Sequence, residues 1–252
     1  MALSSRVPFI SWPLRPSLFK ISCIKPPKMA NSRSDFSIAA FSATSGSDRK
    51  QPILLFDIMD TVVRDPFYQD IPAFFGMSLK ELIECKHPTA WIEFEMGRID
   101  EMELARIFFK DGRHFDLEGL KSCMREGYSY IEGIEELLLT LKQNNYEMHA
   151  FTNYPIWYKL IEDKLKVSTY LSWTFCSCSN GKRKPDPEFY LEVLTQLKVD
   201  PKSCIFIDDR LKNVEAAIEV GINGVHFKNA SSLREDLSLM GIEILKDEEK
   251  QK

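Results

Sequence analysis

Two short apolar runs in this sequence end in carboxylates. ILLF (53–56) leads into Asp57, and SCIFI (203–207) leads into the pair Asp208–Asp209. An apolar run that stops at an acid has the signature of a buried strand carrying a carboxylate to the rim of a sheet. A third run, EMHAFT (147–152), ends in Thr152 and is followed by Asn153, while Lys184 stands in the polar segment GKRKPDPEFY. These residue types suit attack on a phosphate monoester. Such an ester is anionic and repels a carboxylate nucleophile, so Asp57 is useful only beside a divalent cation and a lysine that neutralise the phosphoryl oxygens. Asp57 and Asp208 can hold magnesium, which prefers oxygen ligands and keeps several waters, with Asp209 adding a water-mediated contact. Lys184 balances charge on the nucleophile and the phosphoryl group. Thr152 and the Asn153 amide can donate hydrogen bonds to the phosphoryl oxygens, and Thr61 is grouped with Asn153 as a substrate contact.

The elements that must position these groups alternate. WTFCSC (173–178) and GVHF (224–227) add two further strand-like runs, and between the runs lie helical patterns such as EGIEELLLTLKQNN, PEFYLEVLTQLK and NVEAAIEVGI. Strands alternating with helices predict an α/β fold, a Rossmann-like doubly wound parallel sheet. Ligands of such sheets sit beyond the carboxyl ends of the strands, so Asp57, Thr152 and Asp208 should converge on one crevice. The interval between the first strand and the helix before the second is too long for a plain crossover. It reads as several helices, IPAFFGMSLKELIECK, PTAWIEFEMGR, DEMELARIFFKD and LEGLKSCMREGYSYI. The expected organisation is an α/β core at 51–64 and 131–252 with an inserted helical cap at 65–130. The cap's aromatics, Phe67, Tyr68, Phe74, Phe75, Trp91 and Phe94, are divided between the cap's own core and the crevice.

Residues 1–50 differ from the rest. From Met1 to Ser34 there is no Asp or Glu, while arginines and lysines are spread among serines and prolines, a transit-peptide composition that points to the chloroplast stroma. An apolar fraction of 44% and a net charge of −4 describe a globular protein and give no basic surface for nucleic acid. No apolar block is long enough to span a membrane. The six cysteines lack metal-ligand spacing and read as reduced thiols, with Cys176-Ser-Cys178 inside the third strand. Oligomeric state is not legible.

Four ordered segments, Asp57 with Thr61, Thr152–Asn153, Lys184, and Asp208–Asp209 in FIDDRLKN, resemble the motifs of the haloacid dehalogenase superfamily. The resemblance covers the chain from about Pro52 to Phe227, with the cap where helical-cap members carry theirs. It implies magnesium as cofactor, an aspartyl-phosphate intermediate on Asp57, and support of the metal site by Asn213, which matches a DD-x-x-x-N pattern. Within the superfamily, DIMDTVVRDPFY, IPAFFGMS, HPTAWIEFE, MELARIFFKDGR, HAFTNYP and WTFCSC resemble the plant plastid branch that hydrolyses flavin mononucleotide (FMN). That likeness implies a phosphatase releasing riboflavin and phosphate.

One position departs from the superfamily pattern D-x-D-x-T. Asp57, Ile58, Met59, Asp60 and Thr61 stand in that register, so Met59 occupies the place of the second aspartate. In the family that residue ligates metal through its backbone carbonyl, and its carboxylate protonates the leaving oxygen and then activates water. Met59 can supply only the carbonyl. General acid–base catalysis is worth roughly two to four orders of magnitude, which leaves three readings. Asp60 takes over the acid–base role; a cap carboxylate such as Glu93, Glu95 or Asp100 reaches in; or the leaving group needs no proton. The alternatives to an FMN phosphatase are a phosphatase for a ribityl or sugar phosphate and a non-catalytic flavin- or phosphate-binding protein. A halide-releasing enzyme is disfavoured by Asp208–Asp209.

Overall fold

The computed structural model describes residues 51–244, so the expected leader at 1–50 and the terminal residues 245–252 lie outside the described part. Five strands, β1 (Ile53–Phe56), β2 (Met148–Thr152), β3 (Ser172–Cys176), β4 (Cys204–Asp208) and β5 (Asn223–His226), form one sheet in the order β3-β2-β1-β4-β5. Every pairing is parallel. The central strand β1 is buried at all four positions, which is why ILLF lacks polar alternation: a strand covered on both faces needs apolar side chains on both. Ile53 and Leu55 enter one cluster with Phe151, Phe189, Tyr190 and Phe206. Leu54 and Phe56 enter the other, with Leu137, Leu141, Leu233 and Leu237. The chain runs outward from β1 to β3 and then returns to β4 beside β1. Its topological switch point therefore lies between β1 and β4, where Asp57 and Asp208 emerge.

After β1 come a 3₁₀ turn (Pro66–Tyr68) and five helices, α1 (Asp70–Phe74), α2 (Leu79–Cys85), α3 (Ala90–Glu95), α4 (Glu101–Ile107) and α5 (Leu117–Gly127), ahead of the helix that leads into β2. The single helix expected across IPAFFGMSLKELIECK is two. Gly76 breaks it in the left-handed region at φ +64°, and Ser78 restarts it through a capping box with Glu81. Phe75 packs against Phe108, Phe109 and Phe115 with ring centroids 5.1–5.8 Å away. Leu82, Phe94, Leu104 and Met124 join the cluster that contains Leu54 and Phe56, so the apolar packing runs without a break from the insertion into the sheet. The end of α3 is pinned against the segment after β3. Ser177 Oγ donates to the Glu95 carbonyl at 2.5 Å, and a Cβ on Gly97 would stand 2.4 Å from the Cys178 carbonyl oxygen.

The remaining helices cover the sheet: α6 (Ile134–Gln143), α7 (Tyr158–Leu165), a single turn α8 (Ser177–Asn180), α9 (Pro187–Leu197), α10 (Leu211–Glu219) and α11 (Ala230–Leu239). α9 starts as its sequence suggests, with Asp186 accepting from the Glu188 amide and proline at the first helical position. The strand expected through Cys178 stops at Cys176 instead. Ser177–Asn180 closes as α8 because Gly181, at φ +67°, returns its N–H to the Ser177 carbonyl at 2.8 Å. Cys85, Cys123, Cys176, Cys178 and Cys204 are all free thiols. Among the described residues no helix is long and apolar enough to cross a membrane.

Candidate active site

Asp57 is the first residue beyond β1, and its N–H donates to the Ile207 carbonyl at 2.9 Å, which ties it to the end of β4. Lys184 reaches the same point from the loop before α9. Its side chain is fully buried, and its Nζ donates to Asp57 Oδ1 at 2.9 Å, Asp208 Oδ2 at 2.6 Å and the Phe151 carbonyl at 2.6 Å. The loop that carries it is fixed by Asn153, whose Nδ2 donates to the Lys184 carbonyl and whose Oδ1 accepts from the Lys184 N–H, each at 2.8 Å. Burial pushes the Lys184 ammonium down, but Asp208 and Asp57 outweigh it and leave the group above its ordinary value. The ammonium is therefore charged at neutral pH.

Asp208 is held on several sides. Asn213 Nδ2 lies 3.0 Å from both of its oxygens, and the Arg210 N–H donates to Oδ1 at 2.8 Å. Asp209 sits beside it with a buried Oδ1 that has no hydrogen-bond partner among the described residues. Burial, and then the charge of Asp208, raise the Asp209 carboxyl to about 6. Burial likewise raises Asp57 to about 7 despite the adjacent Lys184. Asp57, Asp208 and Asp209 each offer an oxygen within 4.8 Å of the others. Three clustered carboxylates facing one lysine leave negative charge uncompensated, and a buried orphan oxygen asks for a partner. An all-oxygen set of this kind fits magnesium. The Met59 carbonyl accepts no hydrogen bond among the described residues and is free to join the set.

The other residues singled out in the sequence fall into two groups. Thr152 is fully buried, and its Oγ1 lacks a hydrogen-bond partner among the described residues. Thr61 does not line the crevice, and neither do Thr152, Asp208 and Asp209; the Thr61 Oγ1 accepts from the Asp209 N–H at 3.1 Å and so places the Asp208–Asp209 pair. Asp60 does not line it either. It adopts φ +56°, and its Oδ1 accepts from the Asp65 N–H at 3.0 Å. Of the cap carboxylates, Glu93 pairs with Arg98 at 3.3 Å and Asp100 caps α4. Glu95 alone of the three lines the crevice.

The crevice is a cavity of about 440 Å³ with Asp57, Met59, Lys184 and Asn213 among its lining residues, within the size range of small-molecule sites. Phe67, Tyr68 and Trp91 line it too, as do Ile71, Ile92, Met124 and Tyr154, while Phe74, Phe75 and Phe94 do not. Its polar wall carries Asp65, Glu95, Arg183, Arg210 and Lys86. Glu95 accepts from Trp91 Nε1 at 2.7 Å and from Arg183 Nη2 at 2.9 Å, a pair that bridges α3 to the Lys184 loop. Burial raises the Glu95 carboxyl, with Arg183 opposing. Sequence reasoning passed over Asp65 and Arg210. Asp65 is written as an ordinary helix-start Asp-Pro and does cap the 3₁₀ turn, accepting from the Phe67 N–H at 2.9 Å. Arg210 directly follows the Asp pair, and that adjacency could have marked it.

The sequence pattern of the haloacid dehalogenase-like hydrolases matches residues 54–221. Flavin mononucleotide hydrolase 1 of Arabidopsis thaliana, designated chloroplastic, is 70% identical over 196 residues, which is 78% of this chain and 80% of that one. A sesquiterpene phosphatase of Aspergillus oryzae is 30% identical over 165 residues, 61% of this chain and 80% of the relative. Among solved structures, an enzyme of the same family from Bacteroides thetaiotaomicron, in complex with magnesium and inorganic phosphate, superposes with a TM-score of 0.58 at 21% identity. It covers 71% of this chain and 95% of its own. The fold is thus shared with that structure, and the sequence match places the protein in a family: the chain belongs to the haloacid dehalogenase-like hydrolases.

Proposed function

We propose that the protein is a magnesium-dependent phosphatase that hydrolyses FMN to riboflavin and inorganic phosphate in the plastid. The observation that carries the phosphatase reading is the buried Asp57–Lys184–Asp208 arrangement at the switch point, opening into an aromatic-walled cavity. The 70% identical flavin mononucleotide hydrolase supports the substrate and, with the absence of Asp and Glu from residues 1–34, the compartment. Phe67, Tyr68 and Trp91 offer flat apolar faces suited to a planar ring system.

In this reading Asp57 attacks phosphorus and becomes an aspartyl phosphate, which water then hydrolyses. Lys184 holds the Asp57 carboxylate in place and neutralises charge that builds on the phosphoryl oxygens. Thr152 Oγ1, with no partner of its own, donates a hydrogen bond to one of those oxygens. Asn153 fixes the Lys184 backbone, and Asn213 with the Arg210 N–H fixes Asp208. Asp57, Asp208, Asp209 and the Met59 carbonyl would hold magnesium, which when bound lowers the repulsion between carboxylate and phosphate.

Phosphate release tests the reading. The protein is expected to release phosphate from FMN with magnesium, to lose that activity in EDTA and regain it on adding magnesium back, and to act more slowly on ribityl and sugar phosphates. Tight FMN binding with no phosphate released from any ester would replace the hydrolase by a binding protein.

A further inference from the structure

The phosphatase reading leaves one chemical requirement unmet. The leaving oxygen of FMN is a primary alkoxide, which departs poorly without a proton, and Met59 has none to give. In a phosphoryl transfer the attacking and leaving oxygens lie roughly in line with phosphorus between them. The group that meets the leaving oxygen must therefore stand farther along the cavity wall than Asp57. Three carboxylates line the cavity: Asp57, Asp65 and Glu95. Asp57 is the attacking group, and Glu95 has one oxygen committed to Trp91 and the other to Arg183.

Asp65 is differently placed. It opens the insertion at the seam between the β1 turn and the helices. Its backbone is held by the Asp60 carboxylate, and its Oδ1 is held by the Phe67 N–H. Its Oδ2 has no hydrogen-bond partner among the described residues, which leaves one oxygen of a fixed carboxyl to serve the cavity. We propose that Asp65 is the proton-transfer residue of the reaction, doing the work that the missing carboxylate at position 59 would otherwise do.

This inference rests on the phosphatase reading. In the first step Asp57 Oδ bonds to phosphorus and the P–O bond to the ribityl carbon chain breaks. The electron pair stays on the ribityl oxygen, which takes the Asp65 proton to give riboflavin. In the second step the Asp65 carboxylate takes a proton from water as the water oxygen bonds to phosphorus. The bond from phosphorus to Asp57 breaks, restoring both carboxyl groups and releasing phosphate. The surroundings of Asp65 agree with a proton-bearing group. Burial raises its carboxyl to about 6, the Phe67 amide opposes this, and Asp60 adds to it. Arg210 and Glu95 also face it, as do the phenols of Tyr68, Tyr128 and Tyr154. Asp60, on this account, is a positioning residue that presents Asp65 through the backbone.

The test compares leaving groups in the first turnover. Asp65→Asn keeps an acceptor for the Phe67 N–H and removes only the proton. With magnesium present, first-turnover riboflavin release from FMN by this variant is expected to fall by about 100-fold or more. The nitrophenolate burst from p-nitrophenyl phosphate, whose leaving group needs no proton, should stay within a few-fold of the unaltered protein, followed by slowed turnover. An equal fall on both esters would show that Asp65 acts only on the site's structure and would overturn the proposal, and an unchanged rate on FMN would overturn it as well. Failure of the unaltered protein to turn over either ester would remove the phosphatase reading and this inference together.

Discussion

Asp57→Asn is expected to lower FMN turnover by at least about four orders of magnitude, the scale on which loss of a covalent nucleophile is felt, while leaving the fold intact. The asparagine fills the same space beyond β1. Lys184 would keep its contacts to Asp208 at 2.6 Å and to the Phe151 carbonyl at 2.6 Å, so the buried ammonium is not stranded. The substitution removes a carboxyl that burial already holds at about 7. Thermal unfolding should therefore show a midpoint within a few degrees of the unaltered protein, and FMN should still bind. Stopped turnover with retained binding and stability is the pattern to look for by phosphate release, fluorescence titration and calorimetry. A collapse of all three would mean that Asp57 serves the structure first.

Lys184→Met should instead lose activity and stability together. Methionine has similar bulk, but the loss of the ammonium leaves Asp57 and Asp208 buried side by side, and breaking a buried ion pair by removing one partner costs about 3–5 kcal/mol. For a folded region of this size that corresponds to a drop in melting temperature of about 6–20 °C. Activity should fall along with stability, since the phosphoryl charge would lose its buried cation. Magnesium should return part of the lost stability, because a ligand that binds only the native carboxylate cluster shifts unfolding by mass action. Asp57, Asp208 and Asp209 all remain in the variant to bind it. A melting temperature unchanged from the parent would contradict the charge accounting given for the site.

Much of this arrangement was legible because each chemical group ends a strongly patterned element. Asp57 and Asp208 close apolar runs that read as buried strands, and strands in a parallel sheet deliver their carboxyl ends to one edge. The structure brings those two residues together, as their strand ends suggested, with Lys184 reaching them from the loop before α9. Less legible were features set by a single turn. Cys176-Ser177-Cys178 continues an apolar pattern that does not distinguish a strand from one helical turn, and only Gly181 marks the change. Gly76 followed by Ser78 and Glu81 does spell a helix break, but the apolar residues on either side share a helical spacing that hides it.

The site shows the same division. Asp60, adjacent to Met59, was one of three readings for the missing acid; its backbone sits in the left-handed region, its Oδ1 accepts from the Asp65 N–H, and it is not among the residues that line the cavity. Asp65 itself reads as a helix cap and is one. Its second position, on the cavity wall, depends on how residues 58–65 fold back after β1, and no periodic signal encodes that. The cap aromatics divide likewise. Trp91 and Phe94 lie three apart on α3, but Phe94 packs on Trp157 at 5.1 Å in the core while Trp91 lines the cavity.

The measurement that bears most directly on the central claim is chemical trapping of the phosphoenzyme. The protein would be mixed with FMN and magnesium, quenched in acid within the first turnovers, and treated with borohydride, which reduces an acyl phosphate to an alcohol. Peptide mass spectrometry should then find homoserine at position 57 and nowhere else. Riboflavin and phosphate accumulating while Asp57 is recovered only as aspartate, at every quench time, would contradict the covalent route and the role assigned to the carboxylate at the end of β1.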